Sequence, residues 1–115
     1  MKVVKADTVP AESVEKGAEK TTIRWLITKG DGAPNFAMRL FELAPGGHTP
    51  RHQHAWEHEV FIISGTGVLG AAEGDLPLEP GVAILVEPND DHQFRNTGAE
   101  PLRMLCLIPH VEQQP

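Results

Sequence analysis

The chain has 115 residues, 40% of them hydrophobic, with 11 Gly and 10 Pro, which is enough for one domain built around one core. So many helix-interrupting residues exclude a helical bundle and favour a β architecture. The formal net charge of −6 argues against nucleic acid or an anionic membrane surface as a partner, and no apolar run approaches the ~18 residues of a membrane span.

Charge is unevenly spread. Residues 1–30 hold six basic side chains (Lys2, Lys5, Lys16, Lys20, Arg24, Lys29) against four acidic ones, so the remainder carries −8. Residues 1–20, interrupted by Pro10 and Gly17, read as a basic arm with one short strand, expected to cross to a second subunit; residues 21–115 read as one domain. From Thr21 the run TTIRWLIT is β-branched and aromatic, a strand signature bounded by Gly30. The next segment, NFAMRLFEL, alternates: Phe36, Met38 and Leu40 share one face, Ala37, Arg39 and Phe41 the other, and Pro45-Gly46-Gly47 is expected to end it. RHQHAWEHEVFIISG reads as extended throughout, with His52, His54, Trp56, His58, Val60 and Ile62 on one parity. Further strands are expected at VLGAA, LPL, VAILV, HQF and LRMLCLI, separated by Gly- and Pro-containing turns. Eight or nine short strands at roughly ten-residue spacing predict an all-β sandwich or closed barrel.

Four of the six histidines, His48, His52, His54 and His58, fall within eleven residues. On a strand, positions 52, 54 and 58 point the same way, and the first two rings stand about 6–7 Å apart, close enough to share an ion. Three unpaired imidazoles facing a barrel interior would be costly without such a ligand. His92, after the turn Glu87-Pro88-Asn89-Asp90-Asp91, is the natural fourth donor, while His48 and His110 fall outside the set. The sequence has no G-x-S-x-G, Walker, C-x-x-C or G-x-G-x-x-G motif, so hydrolase, nucleotide and thiol-redox chemistry lack their usual signals. Cys106 is the single cysteine, which precludes an intrachain disulfide and suits a reducing cytoplasm.

The run Gly46…His52-Gln53-His54…Glu59…Gly65 resembles the first motif of the cupin superfamily, and Gly81…Pro88…His92…Asn96 resembles the second. The resemblance covers about residues 36–108 and implies a double-stranded β-helix, a jelly-roll barrel with one divalent metal inside. Two departures stand out. The Pro88–His92 spacing is one residue shorter than the common pattern, with Asp90 where glycine is usual. The third ligand is His58 rather than glutamate, because Glu59 has the opposite parity. The phrase PGGHTPRHQHAWEHEVFIISG is similar to that of small single-domain bacterial cupins in which four histidines hold manganese or another divalent ion. That similarity implies His52, His54, His58 and His92 as ligands, Mn²⁺ first with Fe²⁺, Ni²⁺, Cu²⁺ and Zn²⁺ as competitors, and a homodimer.

Four neutral ligands leave a divalent ion at +2, where a glutamate in the set would leave about +1. An octahedral ion would retain two positions for a substrate or dioxygen. Met104, Cys106 and Ile108 share the face expected to look toward the metal, with Phe94 above His92. Thr49, Trp56 and Arg39 are further lining candidates, although a surface salt bridge suits Arg39 equally well. His48 could serve as an acid–base group at the cavity edge. The expected function is that of a metal-dependent oxidoreductase, cleaving a carbon–carbon double bond of a small organic substrate with dioxygen. The alternatives are a non-oxidative isomerase, decarboxylase or lyase, and a non-catalytic small-molecule-binding cupin.

Overall fold

Alternate side chains along each strand are buried, as the two-residue period of extended backbone requires: Leu102, Met104, Cys106 and Ile108 are buried while Arg103, Leu105 and Leu107 are less so. The computed structural model describes residues 1–14 and 16–110. Its strands are β1 (Glu12–Ser13), β2 (Glu19–Ile27), β3 (Phe36–His48), β4 (His58–Ser64), β5 (Gly67–Ala71), β6 (Gly74–Leu78), β7 (Ala83–Val86), β8 (His92–Asn96) and β9 (Leu102–Pro109). They form one curled sheet in the order β6-β5-β8-β3-β9-β4-β7, with β2 added to β3 and β1 to β2, and every pairing is antiparallel. This is the all-β jelly roll that the strand spacing and the resemblance predict. The barrel domain expected over 21–115 is described as far as His110.

Strand β3 joins the two halves. It pairs with β9 from Phe36 to Leu43 and reaches β8 through His48↔Arg95. The strand was expected to stop at Pro45-Gly46-Gly47, but it runs through to His48. A register shift against β2 between Leu43 and His48 absorbs the proline, whose missing N–H would interrupt a regular ladder. Gly47 makes this possible. A Cβ there would lie 2.8 Å from the Lys20 carbonyl oxygen and 2.9 Å from those of Ala44 and Glu19. At the β4–β5 turn Gly65 has φ 85°, and a Cβ would collide with the Pro101 carbonyl.

The segment from Arg51 to Gly65 is not extended throughout. Strand β4 starts only at His58, the chain bends at Ala55 and Trp56, and His52 forms an isolated bridge with His92. The backbone before β4 pairs instead with the segment leading into β8: Asn89 N–H donates to the His54 carbonyl (2.7 Å), and His52 and His92 exchange N–H···O bonds of 3.1 and 3.0 Å. Burial nonetheless alternates through this stretch, even-numbered residues facing inward.

The N-terminal residues lie against their own chain. Glu12 pairs with Ile23 and Ser13 with Thr22, and Arg24 Nη1 donates to the carbonyls of Ala6 (3.3 Å), Asp7 (3.4 Å) and Val9 (2.7 Å). At the far end of the barrel Leu43, Ile62 and Leu102 are fully buried, each such side chain contributing roughly 1.5–3 kcal/mol. Asn96 closes that end. Its Nδ2 donates to the carbonyls of Leu43 (2.9 Å) and Glu100 (2.8 Å), and its Oδ1 accepts from Gly98 N–H (2.9 Å).

Candidate metal centre

The sequence places His52 and His54 on the approach to β4, His58 at its first residue and His92 at the first residue of β8. The bridge between His52 and His92 brings the two segments together. As a result one ligand atom each from His52, His54 and His92 lies within 4.8 Å of the others. His58 stands beside this trio, its ring centroid 4.1 Å from that of His54 and 5.7 Å from that of His92. It is not a member of the three-donor set; its Nδ1 lies 3.5 Å from Cys106 Sγ.

Hydrogen bonds set the direction of two donors. His54 Nδ1–H donates to the Trp56 carbonyl (3.0 Å) and His92 Nδ1–H to the Asp90 carbonyl (2.8 Å). A carbonyl can only accept, so Nδ1 carries the proton and Nε2 keeps its lone pair. His54 Nε2 is buried and has no hydrogen-bond partner. The bend at Trp56 thus has a local role, since it presents its carbonyl to Nδ1 while its indole stacks on the His54 ring at 4.7 Å and 3°.

Burial keeps three of the rings neutral. It pushes His52 down to about 4, helped by the mutual repulsion that protonating neighbouring rings would bring and by the Arg39 guanidinium. Burial also lowers His54. His58 is pushed to about 2, by burial first and the Arg39 guanidinium second. An imidazole whose outer nitrogen donates to a carbonyl presents its other nitrogen's lone pair, the form in which histidine binds metal; His54 and His92 are held this way, and with His52 beside them the three fit a divalent ion. For His58 the outcome depends on the Cys106 contact. If the thiol donates to Nδ1, the proton sits on Nε2; if Nδ1–H donates to sulfur, Nε2 is a free donor.

The cluster opens into a cavity of about 570 Å³ lined by His52, His58, His92, Arg39, Thr49, Phe94, Met104 and Cys106. Of the other lining candidates, Trp56 packs against His54, and Ile108 is buried in the core; neither lines the cavity. Thr49 is committed to the fold, its Oγ1 accepting from Phe94 N–H at 2.9 Å. His48 ends β3 and donates from Nδ1 to the Thr49 carbonyl (3.0 Å), and His110 bonds the Ala33 carbonyl (2.7 Å); neither lines the cavity.

Among the described residues Arg39 forms no salt bridge, on the surface or elsewhere. Arg39 is 2% exposed, donates from Nη2 to Cys106 Sγ at 2.9 Å and lies over the rings of Phe41 (4.9 Å) and Trp25 (5.4 Å). Its parity with Ala37 and Phe41 was legible in the sequence, but which face of β3 turns inward was not. Sequence reasoning also missed Trp25, Ile23 and Val14 as cavity walls. Only the β2–β3 register, Trp25 opposite Arg39, brings that strand to the site.

Residues 39–108 match the family model of the cupin domain. The chain belongs to the cupin family. This cupin is 38% identical to auxin-binding protein 1 of Arabidopsis thaliana, over 67% of this chain and 43% of the relative. It is 31% identical to the 1-methylthio-D-xylulose 5-phosphate methylsulfurylase of Rhodospirillum rubrum, over 84% of this chain and 61% of the relative. It therefore spans less than two thirds of either curated relative. Among solved structures, the polyketide cyclase RemF from Streptomyces resistomycificus is 38% identical with a TM-score of 0.90, covering 95% of this chain and 79% of that one. A cupin-2 domain protein from Rhodospirillum rubrum has a TM-score of 0.85 at 24% identity, a likeness of fold.

Proposed function

We propose that this cupin is a metal-dependent enzyme that activates an oxygen-bearing small molecule for non-oxidative chemistry, a cyclisation or isomerisation. The observation that carries the reading is the buried, unpartnered Nε2 of His54 within a set of inward-facing histidines. His52, His54 and His92 would hold the ion, with His58 as the fourth donor. We assign manganese first, on the similarity of the histidine motif to four-histidine cupins, ahead of iron, nickel, copper and zinc. When bound, such an ion supplies Lewis acidity toward a carbonyl or enol oxygen and leaves coordination positions open to it.

The chain's own residues would do the rest. Phe94, Met104 and Ile23 provide apolar walls that exclude water from the reacting group. The Trp56 and Asp90 carbonyls hold the His54 and His92 rings in one tautomer. Likeness to a polyketide cyclase at 38% identity over nearly the whole chain supports a cyclisation. The second reading is oxidative cleavage of a carbon–carbon double bond with dioxygen, as a dioxygenase would perform. It is favoured by a cavity in which, among the described lining residues, the one carboxylate, Glu12, is exposed, leaving little to act as a general base.

Assays of manganese-loaded protein with a linear poly-β-ketone and with a styrene-type alkene, each in air and without oxygen, separate the two. Oxygen-independent consumption of the ketone supports the first reading. Alkene cleavage confined to air replaces it with the second. Failure of the protein to take up any divalent ion would overturn both.

A further inference from the structure

Arg39 is a buried cation with no acidic partner among the described residues. Its one hydrogen bond is to the Cys106 thiol, and its Nε is buried with no partner at all. A thiol is a neutral and weak acceptor, so Cys106 supplies no counter-charge. Aromatic faces at 4.9 and 5.4 Å orient the guanidinium but do not neutralise it. Buried charges are ordinarily paired, because leaving one unpaired is expensive. Arg39 nevertheless lines the cavity, and the Cys106 sulfur contacts both its Nη2 (2.9 Å) and His58 Nδ1 (3.5 Å).

We propose that Arg39 receives an anionic oxygen group of the substrate, a carboxylate, phenolate or enolate monoanion borne on an apolar ring body. The inference deepens the function proposed above and rests on its placing the substrate in this cavity. A planar guanidinium pairs naturally with such a group. The ring body would lie against Ile23, Phe94 and Met104, which share the cavity. A phosphate dianion fits less well. It calls for several converging donors, whereas here the Thr49 hydroxyl is engaged with the Phe94 amide and the other lining cations, Lys16 and Arg51, are exposed, Arg51 being paired with Asp91.

The test is calorimetric titration of benzoate, its neutral analogue benzamide, and inorganic phosphate into the full chain. It is run on manganese-loaded and chelator-treated protein, for the wild type, Arg39→Met and Arg39→Lys. Benzoate should bind the wild type about tenfold more tightly than benzamide, with or without metal, and more tightly than phosphate. Arg39→Met should abolish the preference for benzoate, keep the wild-type metal content and melt no lower than the wild type, since it removes an unpaired buried charge. Arg39→Lys should retain part of the preference. Equal binding of benzoate and benzamide by the wild type, tighter binding of phosphate, or unchanged benzoate affinity in Arg39→Met would each overturn the proposal. If Arg39→Met does not fold, the wild-type ratio and Arg39→Lys decide. Absence of metal uptake would count against the metal-dependent reading alone, because benzoate binding to chelator-treated protein reports Arg39 by itself.

Discussion

Two polar constellations are buried in this barrel, one at each end, and they differ in how completely they are satisfied. At the Asn96 end both side-chain donor and acceptor functions are used, tying β8, β3 and the turn before β9 together through three hydrogen bonds. At the histidine end Arg39 Nε, His54 Nε2 and Trp56 Nε1 are all buried without a partner. Buried polar groups that are fully paired serve the fold, and groups left unpaired cost stability unless something outside the chain completes them. The contrast therefore separates an end whose polar groups are satisfied within the chain from one whose polar groups the described residues leave unpartnered.

Substitution should break the two ends in different ways. The largest effect is expected from His92→Ala or His54→Ala. Bound divalent ion should fall by more than the roughly 10–100-fold that loss of a supporting partner costs, as read by elemental analysis and metal titration, with the circular dichroism of the barrel retained. Asn96→Ala should do the reverse. Losing three bonds and leaving the Leu43 and Glu100 carbonyls without this donor should cost about 2–4 kcal/mol in denaturant unfolding, while the folded variant takes up metal as the wild type does.

His58→Ala sharpens the histidine end itself. A fourth-ligand role predicts clearly weakened metal binding in that variant, and near-stoichiometric metal retained unchanged would limit the site to His52, His54 and His92. The smallest effect expected is on the pH dependence of the metal-free protein. An unfolded histidine protonates near 6.5, whereas His52 in the folded chain stays neutral down to about 4. The unfolded state therefore binds the proton first, and stability should decline as pH falls from about 6.5 toward about 4. Denaturant midpoints measured across that window should fall less steeply in a His52→Gln variant than in the wild type, the remaining slope coming from His54 and His58; equal slopes would refute the assignment.

Much of the fold was legible because its signals are local. Period-two burial along β4, β8 and β9 and the glycine- and proline-bearing turns between strands follow from side-chain geometry and φ/ψ preference, with no reference to distant residues. The histidine positions were legible for the same reason, although the strand assumed to carry His52 and His54 is a bent segment whose backbone pairs with the approach to β8. Parity predicted the inward face correctly there because a bridged, extended loop keeps the alternation without the ladder.

What sequence by itself determined is an all-β chain with histidines gathered on one inward-facing parity, since both follow from neighbours within a few residues. Tertiary structure alone decided the remainder. The β3 bulge at Gly47, the β2–β3 register that sets Trp25 against Arg39, and the contact of His58 with Cys106 each join residues far apart in the chain. Arg39 is the clearest case: its residue type suggests a solvated surface, and only closure of β2, β3 and β9 around it makes it a buried, unpaired charge.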